Sequence, residues 1–86
     1  MNIRVVVTGR AYHIAQQLPE VIAVPAGGTV DDALRILSAH LPEGQTFPSS
    51  CLVAVSGQHL GTLASHAERV LSEGQELMLI APVAGG

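Results

Sequence analysis

A single amphipathic helix is the sequence feature that most restricts the fold of this chain. After Thr29, apolar residues recur at helical spacing and form one stripe, made of Val30, Ala33, Leu34, Leu37 and Leu41. The Thr29 hydroxyl is expected to cap the first turn, where Asp31 and Asp32 complement the helix dipole. Pro42 is expected to end the helix near Leu41. Because one helix cannot bury its stripe alone, the other apolar segments must supply a sheet.

Short apolar runs on both sides of this helix predict the strands of that sheet. They lie at residues 3–7, 21–24, 51–55 and 76–81. His59 and Leu60 are expected to begin a further strand after a hairpin turn at residues 56–58, and residues 11–18 are compatible with a short helical turn. The order predicts an α+β fold, a mixed four- to five-stranded sheet packed on one main helix. The first and last strands should pair in parallel at its centre.

Length and charge exclude several classes of protein. The chain has 86 residues, with a net charge of -3 and no lysine. One small domain is expected, with a body at residues 1–81 and a tail at residues 82–86. The absence of a basic patch argues against nucleic-acid binding, and no apolar run is long enough to span a bilayer. Without a signal-peptide layout at its start, the protein is expected to be cytoplasmic.

No residue pattern predicts a catalytic or metal-binding set. The histidines lie in different segments without ligand spacing and are interpreted as structural: His13, His40, His59 and His66. Asp31 and Asp32 are adjacent, so they point in different directions on a helix. The lone Cys51 is expected to be a half-buried strand residue. We therefore expect no metal and no stably bound cofactor.

The chain ends in two glycines that directly follow the last predicted strand. Gly85 and Gly86 lack a Cβ atom, so this backbone can enter a channel too narrow for other residues. The residues predicted to bind a partner through the tail are Pro82, Val83, Ala84 and Gly85, and the carboxylate of Gly86 would be the reacting group. A disordered or trimmed end would look the same, so this pattern alone leaves both interpretations open.

The body and the tail together resemble a known family. Small β-α-β domains that end in Gly-Gly resemble ubiquitin-like β-grasp proteins, and this chain is more similar to bacterial sulfur carriers of the ThiS/MoaD type. The resemblance rests on Gly-Thr-Val-Asp-Asp-Ala-Leu at residues 28–34, on Val-Ala-Val at residues 53–55 with its polar turn, and on residues 71–86. The end is similar to the small subunit of molybdopterin synthase, which typically closes in Pro-Val-Ser/Thr-Gly-Gly.

The chain also departs from the family pattern in ways that concern its pathway. Leu79 and Ile80 stand where the family often has an aromatic pair, and Ser56 stands where it usually has Asn. The stretch at residues 58–70 is several residues longer than in typical members.

The resemblance implies a reaction cycle in which this chain is the carrier and is not catalytic alone. An E1-like adenylating enzyme would use ATP to activate the Gly86 carboxylate, and a persulfide sulfur donor would then convert the acyl-adenylate into a thiocarboxylate. The charged carrier would dock on the molybdopterin synthase large subunit and deliver its sulfur for molybdopterin, the ligand of the molybdenum cofactor. Catalysis would belong to the partner subunit.

The last strand suggests where such partners would dock. Because side chains alternate along a strand, Leu77 and Leu79 would face the helix, and Met78 and Ile80 would face outward beside the tail. We therefore interpret Met78 and Ile80 as partner-docking residues.

Three alternatives to the molybdopterin pathway remain open at this stage. A carrier for the thiamine thiazole or for other sulfur metabolism would use the same chemistry with a different acceptor. A ubiquitin-like protein modifier would instead be conjugated to lysines through Gly86. A plain β-grasp interaction domain would carry its two glycines by accident.

Overall fold

The computed structural model describes residues 1–9 and 18–81 of the chain. Its elements in chain order are the strands Asn2–Gly9 (β1) and Val21–Ala23 (β2), the helix Val30–Ala39 (α1), and the strands Leu52–Val55 (β3), Gln58–Thr62 (β4) and Glu76–Ala81 (β5). The described residues form a mixed five-stranded sheet with a single helix, as in a small ubiquitin-like β-grasp fold. This confirms the predicted fold class. Most of the helical turn predicted at residues 11–18 lies outside the described residues.

The sheet is built around a parallel pair formed by the first and last strands. Its order is β2-β1-β5-β3-β4, and β1 runs parallel to β5 with Val5 opposite Leu77 and Val7 opposite Leu79. The other neighbouring pairs are antiparallel. The first and last strands therefore lie side by side in the middle of the sheet, as the sequence predicts.

The start of α1 is fixed by a capping box. The Asp32 N–H donates to the Thr29 hydroxyl at 3.4 Å, and the Thr29 N–H donates to the Asp32 carboxylate at 2.9 Å. The helix ends at Ala39, so the prediction of an end near Leu41 was slightly too long. The final turn closes with bonds of the i to i−3 type, and Pro42 disfavours helical torsions at the residue before it.

The core lies between α1 and one face of the sheet. The buried residues of α1 are Val30, Ala33 and Leu37, and those of the sheet include Ile3, Val53, Val55, Leu77 and Leu79. Cys51 is fully buried, so the expectation of a half-buried strand residue was wrong. Its backbone is held between the Pro48 carbonyl and the Leu63 N–H just before β3, and its side chain belongs to the core cluster.

The hairpin from β3 to β4 has the predicted turn but a longer second strand. Ser56 and Gly57 both have positive φ values, 47° and 86°, as a type I′ turn requires. The predicted strand beginning at His59 and Leu60 is β4, which starts one residue earlier at Gln58 and continues through Thr62. The register shifts between Val53 and Ala54, so Leu60 forms a bulge that lets β4 bend while it stays paired.

Candidate functional site

The end of β5 places the start of the tail at the middle of the sheet. Ala81 is the last residue of β5 and lies opposite Gly9 of β1. The predicted reacting residue Gly86 and the predicted tail-binding residues Pro82, Val83, Ala84 and Gly85 lie outside the described residues. The chain therefore leaves the sheet for residues 82–86 from the end of the central strand pair.

Successive residues of β5 face opposite sides of the sheet. Leu77 and Leu79 are completely buried against α1, whereas Met78 and Ile80 are partly exposed on the other face. The predicted alternation is thus present in the structure. The docking role of Met78 and Ile80 stays a prediction.

Neighbouring strands extend this exposed apolar surface. Val6 of β1 lies opposite Met78, and Leu52 of β3 lies opposite Ile80. Leu52 is 39% exposed although it belongs to an apolar run. We call the four residues Val6, Leu52, Met78 and Ile80 the open-face patch. It lies on the face opposite α1 and borders the end of β5 from which the tail continues.

Sequence reasoning missed Leu52 as a member of this surface. The run at residues 51–55 was interpreted as one strand, but its alternation was not followed. Applying the two-residue period to β3 would have placed Leu52 on one face of the strand and the buried Val53 and Val55 on the other. The buried Cys51 just before β3 hides this signal, because the run at residues 51–55 looks apolar throughout.

A cavity lies beside the open-face patch, towards β2. It has a volume of about 310 Å³ and is lined by Arg4, Val5, Val6, Glu20 and Val21. Val21 is 49% exposed and lies opposite Arg4 in the register. The surface on this side of the patch is therefore mixed, with a guanidinium and a carboxylate next to apolar side chains.

The remaining candidate groups have structural partners. Asp32 accepts hydrogen bonds in the helix cap and pairs with Arg35 at 3.1 Å, while Asp31 pairs with His66 at 2.7 Å. Burial raises the pKa of the Cys51 thiol, which opposes formation of the nucleophilic thiolate. Within residues 1–9 and 18–81, no group of three or more His, Cys, Asp or Glu side chains is placed to hold a metal ion.

Comparison with protein families decides what kind of domain this is. Residues 5–86 match the model of the ThiS family, so the match includes most of both central strands, the helix and the Gly85-Gly86 end. The chain belongs to the ThiS family. This family comprises ThiS/MoaD-like sulfur carriers, which generally interact with E1-like adenylating enzymes and with partner enzymes. No curated protein and no solved structure gave a match.

The ThiS-family assignment confirms the resemblance at the level of the sulfur carriers. It does not separate the thiamine branch from the molybdopterin branch. In the described part of the chain, no helix has the length and apolar character needed to cross a membrane.

Proposed function

We propose that this ThiS-family chain is the sulfur carrier of molybdopterin synthesis and acts as the small subunit of molybdopterin synthase. The observation that carries the proposal is the family match that runs through Gly86, on a chain that ends in Ala-Pro-Val-Ala-Gly-Gly directly after β5. Residues 1–81 would form the docking body, and residues 82–86 would be the reactive tail. The Pro82-Val83 pair favours the molybdopterin branch, because thiazole-pathway tails less often carry that proline.

The proposed chemistry starts at the Gly86 carboxylate. An oxygen of this carboxylate attacks the α-phosphate of ATP in the adenylating enzyme, and pyrophosphate leaves. A persulfide then attacks the acyl carbon and displaces AMP, which gives an acyl disulfide. A second thiol cleaves the S–S bond and releases the thiocarboxylate. Adenylation is needed because a carboxylate is a poor acyl donor until it carries a good leaving group.

The tail loses conformational freedom when it enters a partner's active site. Ordering a residue costs about 1–2 kcal/mol, so five residues impose a substantial penalty. Pro82 lowers that penalty, because its ring fixes its own φ. The open-face patch is proposed to supply compensating contact, since exposed apolar side chains that cluster are a mark of interaction sites.

Mass spectrometry of the C-terminus tests the carrier chemistry. The full chain is incubated with ATP, an adenylating enzyme that charges a known carrier, and a sulfide source. Replacement of one terminal oxygen by sulfur is the expected result, and a variant without Gly86 is the matched control. If the wild-type chain stays unchanged while the known carrier is charged in the same mixture, the carrier proposal fails.

A carrier for the thiazole of thiamine, or for other sulfur metabolism, is the second candidate, because the family match covers that branch as well. The two branches differ in the acceptor. The thiocarboxylated chain is therefore supplied to a molybdopterin synthase large subunit with its pterin precursor, and in parallel to a thiazole synthase. Sulfur transfer only in the second reaction would assign the chain to the thiamine branch. Conjugates of high molecular weight in a lysate would instead favour a protein modifier.

A further inference from the structure

The edge of β4 that does not pair with β3 is covered by the chain that follows this strand. Residues 65–67, which we call the strap, fold back along this strand on the side opposite β3, after the N–H groups of Leu63 and Ala64 have donated to the Cys51 and Ser49 carbonyls on the β3 side. The Ala67 N–H donates to the Leu60 carbonyl at 3.0 Å, and the Thr62 N–H donates to the Ser65 carbonyl at 2.9 Å. Gly61 and His66 form an antiparallel bridge between strand and strap. Edge groups that would otherwise be open to another strand are thus paired within the chain.

The strap can approach this closely because residue 61 is glycine. A Cβ atom at Gly61 would overlap the Ser65 carbonyl oxygen and would lie 3.0 Å from the His66 Cα, both of them backbone atoms. The φ of Gly61 is +133°, a conformation that side chains disfavour. The backbones of the strap and β4 are therefore in direct contact at Gly61, where a side chain would not fit.

One side chain of the strap connects it to the helix. The Nδ1 of His66 lies 2.8 Å from the Thr62 carbonyl, and its Nε2 lies 2.7 Å from the Asp31 carboxylate in the first turn of α1. The His66 side chain is only 11% exposed. Both partners are pure acceptors, so both ring nitrogens must donate. Only the imidazolium form satisfies this arrangement.

The charges around His66 are consistent with that form. Burial lowers the pKa of His66, but the hydrogen bonds to Asp31 and to the Thr62 carbonyl outweigh it, so the pKa is raised overall. The pKa of Asp31 is lowered by its hydrogen bond with His66 and also by Glu68. The charged groups close to His66 are therefore Asp31 and Arg35 from α1 and Glu68 from the chain after the strap.

We propose that the strap is a latched cover of the β4 edge, and that protonated His66 is its latch. When His66 loses a proton, one of its ring nitrogens faces an acceptor but has no hydrogen to donate. The strap then opens. The Leu60 carbonyl and the Thr62 N–H then lose their hydrogen-bond partners in the strap. The bonds from Val30 N–H to the Arg69 carbonyl and from Leu71 N–H to the Gly28 carbonyl do not involve His66 and stay closed.

The direction of the pH dependence follows from the raised pKa. The latch contributes fully below the unfolded value, for which 6.5 is the reference, and its contribution is lost as the pH rises through the folded pKa. The strap is therefore closed below the folded pKa of His66 and opens above it. This inference does not rest on the proposed sulfur chemistry.

Hydrogen exchange of the full chain, corrected for intrinsic rates, tests the latch from about pH 5.5 to about pH 8.5. The protection of the Ala67 and Thr62 amides should fall as the pH rises, while that of Val30 and Leu71 stays constant. His66→Gln should lower the protection of Ala67 about tenfold at the acidic end, as expected for a lost hydrogen bond to a charged group, and should remove the pH dependence. His59→Gln, on the exposed side of β4, is the matched control.

Two further measurements test the latch if His66→Gln folds poorly. Nitrogen chemical shifts of His66 in the wild-type chain should show both ring nitrogens protonated at mildly acidic pH, with a midpoint above about 6.5. Gly61→Ala should reduce strap protection at every pH, because it disturbs the strap without removing a titrating group. A neutral His66 under those conditions, or equal protection of Ala67 at both ends of the pH range, would overturn the latch.

Discussion

The two faces of β5 carry equally apolar side chains but stand in opposite environments. Leu77 and Leu79 are completely buried under α1, whereas Met78 and Ile80 remain partly exposed on the open face. Burial of apolar surface drives folding, so the first pair accounts for stability. The second pair is buried less completely and leaves apolar surface uncovered, and this is why we propose that a partner contacts it. One face of β5 thus contributes to stability, and the other carries the proposed docking function.

The largest expected effect is the loss of a buried side chain from the covered face. Leu79→Ala should lower the free energy of unfolding by about 2–5 kcal/mol, because it removes apolar contacts and leaves a cavity. Ile80→Ala, at the next position of the same strand, should lower it by about 1 kcal/mol or less. Urea unfolding of both variants measures the difference. Equal losses would mean that the open face is also part of the core.

When adenylation is measured in place of stability, a change on the open face is expected to have a large effect. Ile80→Asp should reduce kcat/KM for adenylation about tenfold or more, because it places a charge in the centre of an apolar contact. Val70→Asp is the matched control, since Val70 is 61% exposed but does not belong to the open-face patch. Urea unfolding should show that both variants remain folded under the assay conditions. Equal adenylation by the two variants would remove the patch from the proposed docking surface.

A smaller effect is expected at the cap of the helix that covers the inner face. Thr29→Ala should lower the free energy of unfolding by about 1 kcal/mol, because the N–H of Asp32 loses its acceptor. Ser38→Ala, at an exposed position of the same helix, should be neutral or slightly stabilising, since alanine has the higher helix propensity. Thermal or urea unfolding distinguishes the two. A loss at Ser38 as large as that at Thr29 would contradict the role of the cap.

The sequence was sufficient where the signals are local. Thr29 and the apolar stripe that follows it predict the helix start, and the period of two in β5 predicts which face each side chain occupies. The pair of Asp31 with His66 could not be predicted, because it joins residues that are 35 positions apart. The strap could not be predicted, because it depends on how β4 bends. The burial of Cys51 was missed for the same reason, since Leu63 holds it from a distant segment.

The smallest expected effect is the response of the helix cap to acid. Hydrogen bonds from Thr29 lower the pKa of Asp32, with a contribution from Arg35, so its folded pKa lies below the reference of 3.8. A depressed folded pKa means that Asp32 contributes stability above about pH 3.8 and that this contribution disappears as the pH falls through the folded value. Asp32→Asn should therefore flatten the acid limb of the stability curve, with little change near neutrality beyond the altered cap.

Urea midpoints measured from about pH 2.5 to about pH 7 would show this difference between wild type and Asp32→Asn. Glu43→Gln, in the exposed loop after α1, is the matched control for removing one carboxylate. An acid limb of Asp32→Asn as steep as that of the wild type would mean that another carboxylate controls acid sensitivity. The helix over the covered face would then keep its cap even when the side chain at position 32 is neutral, because the Thr29 hydroxyl still accepts from the backbone N–H of that position without help from a charge.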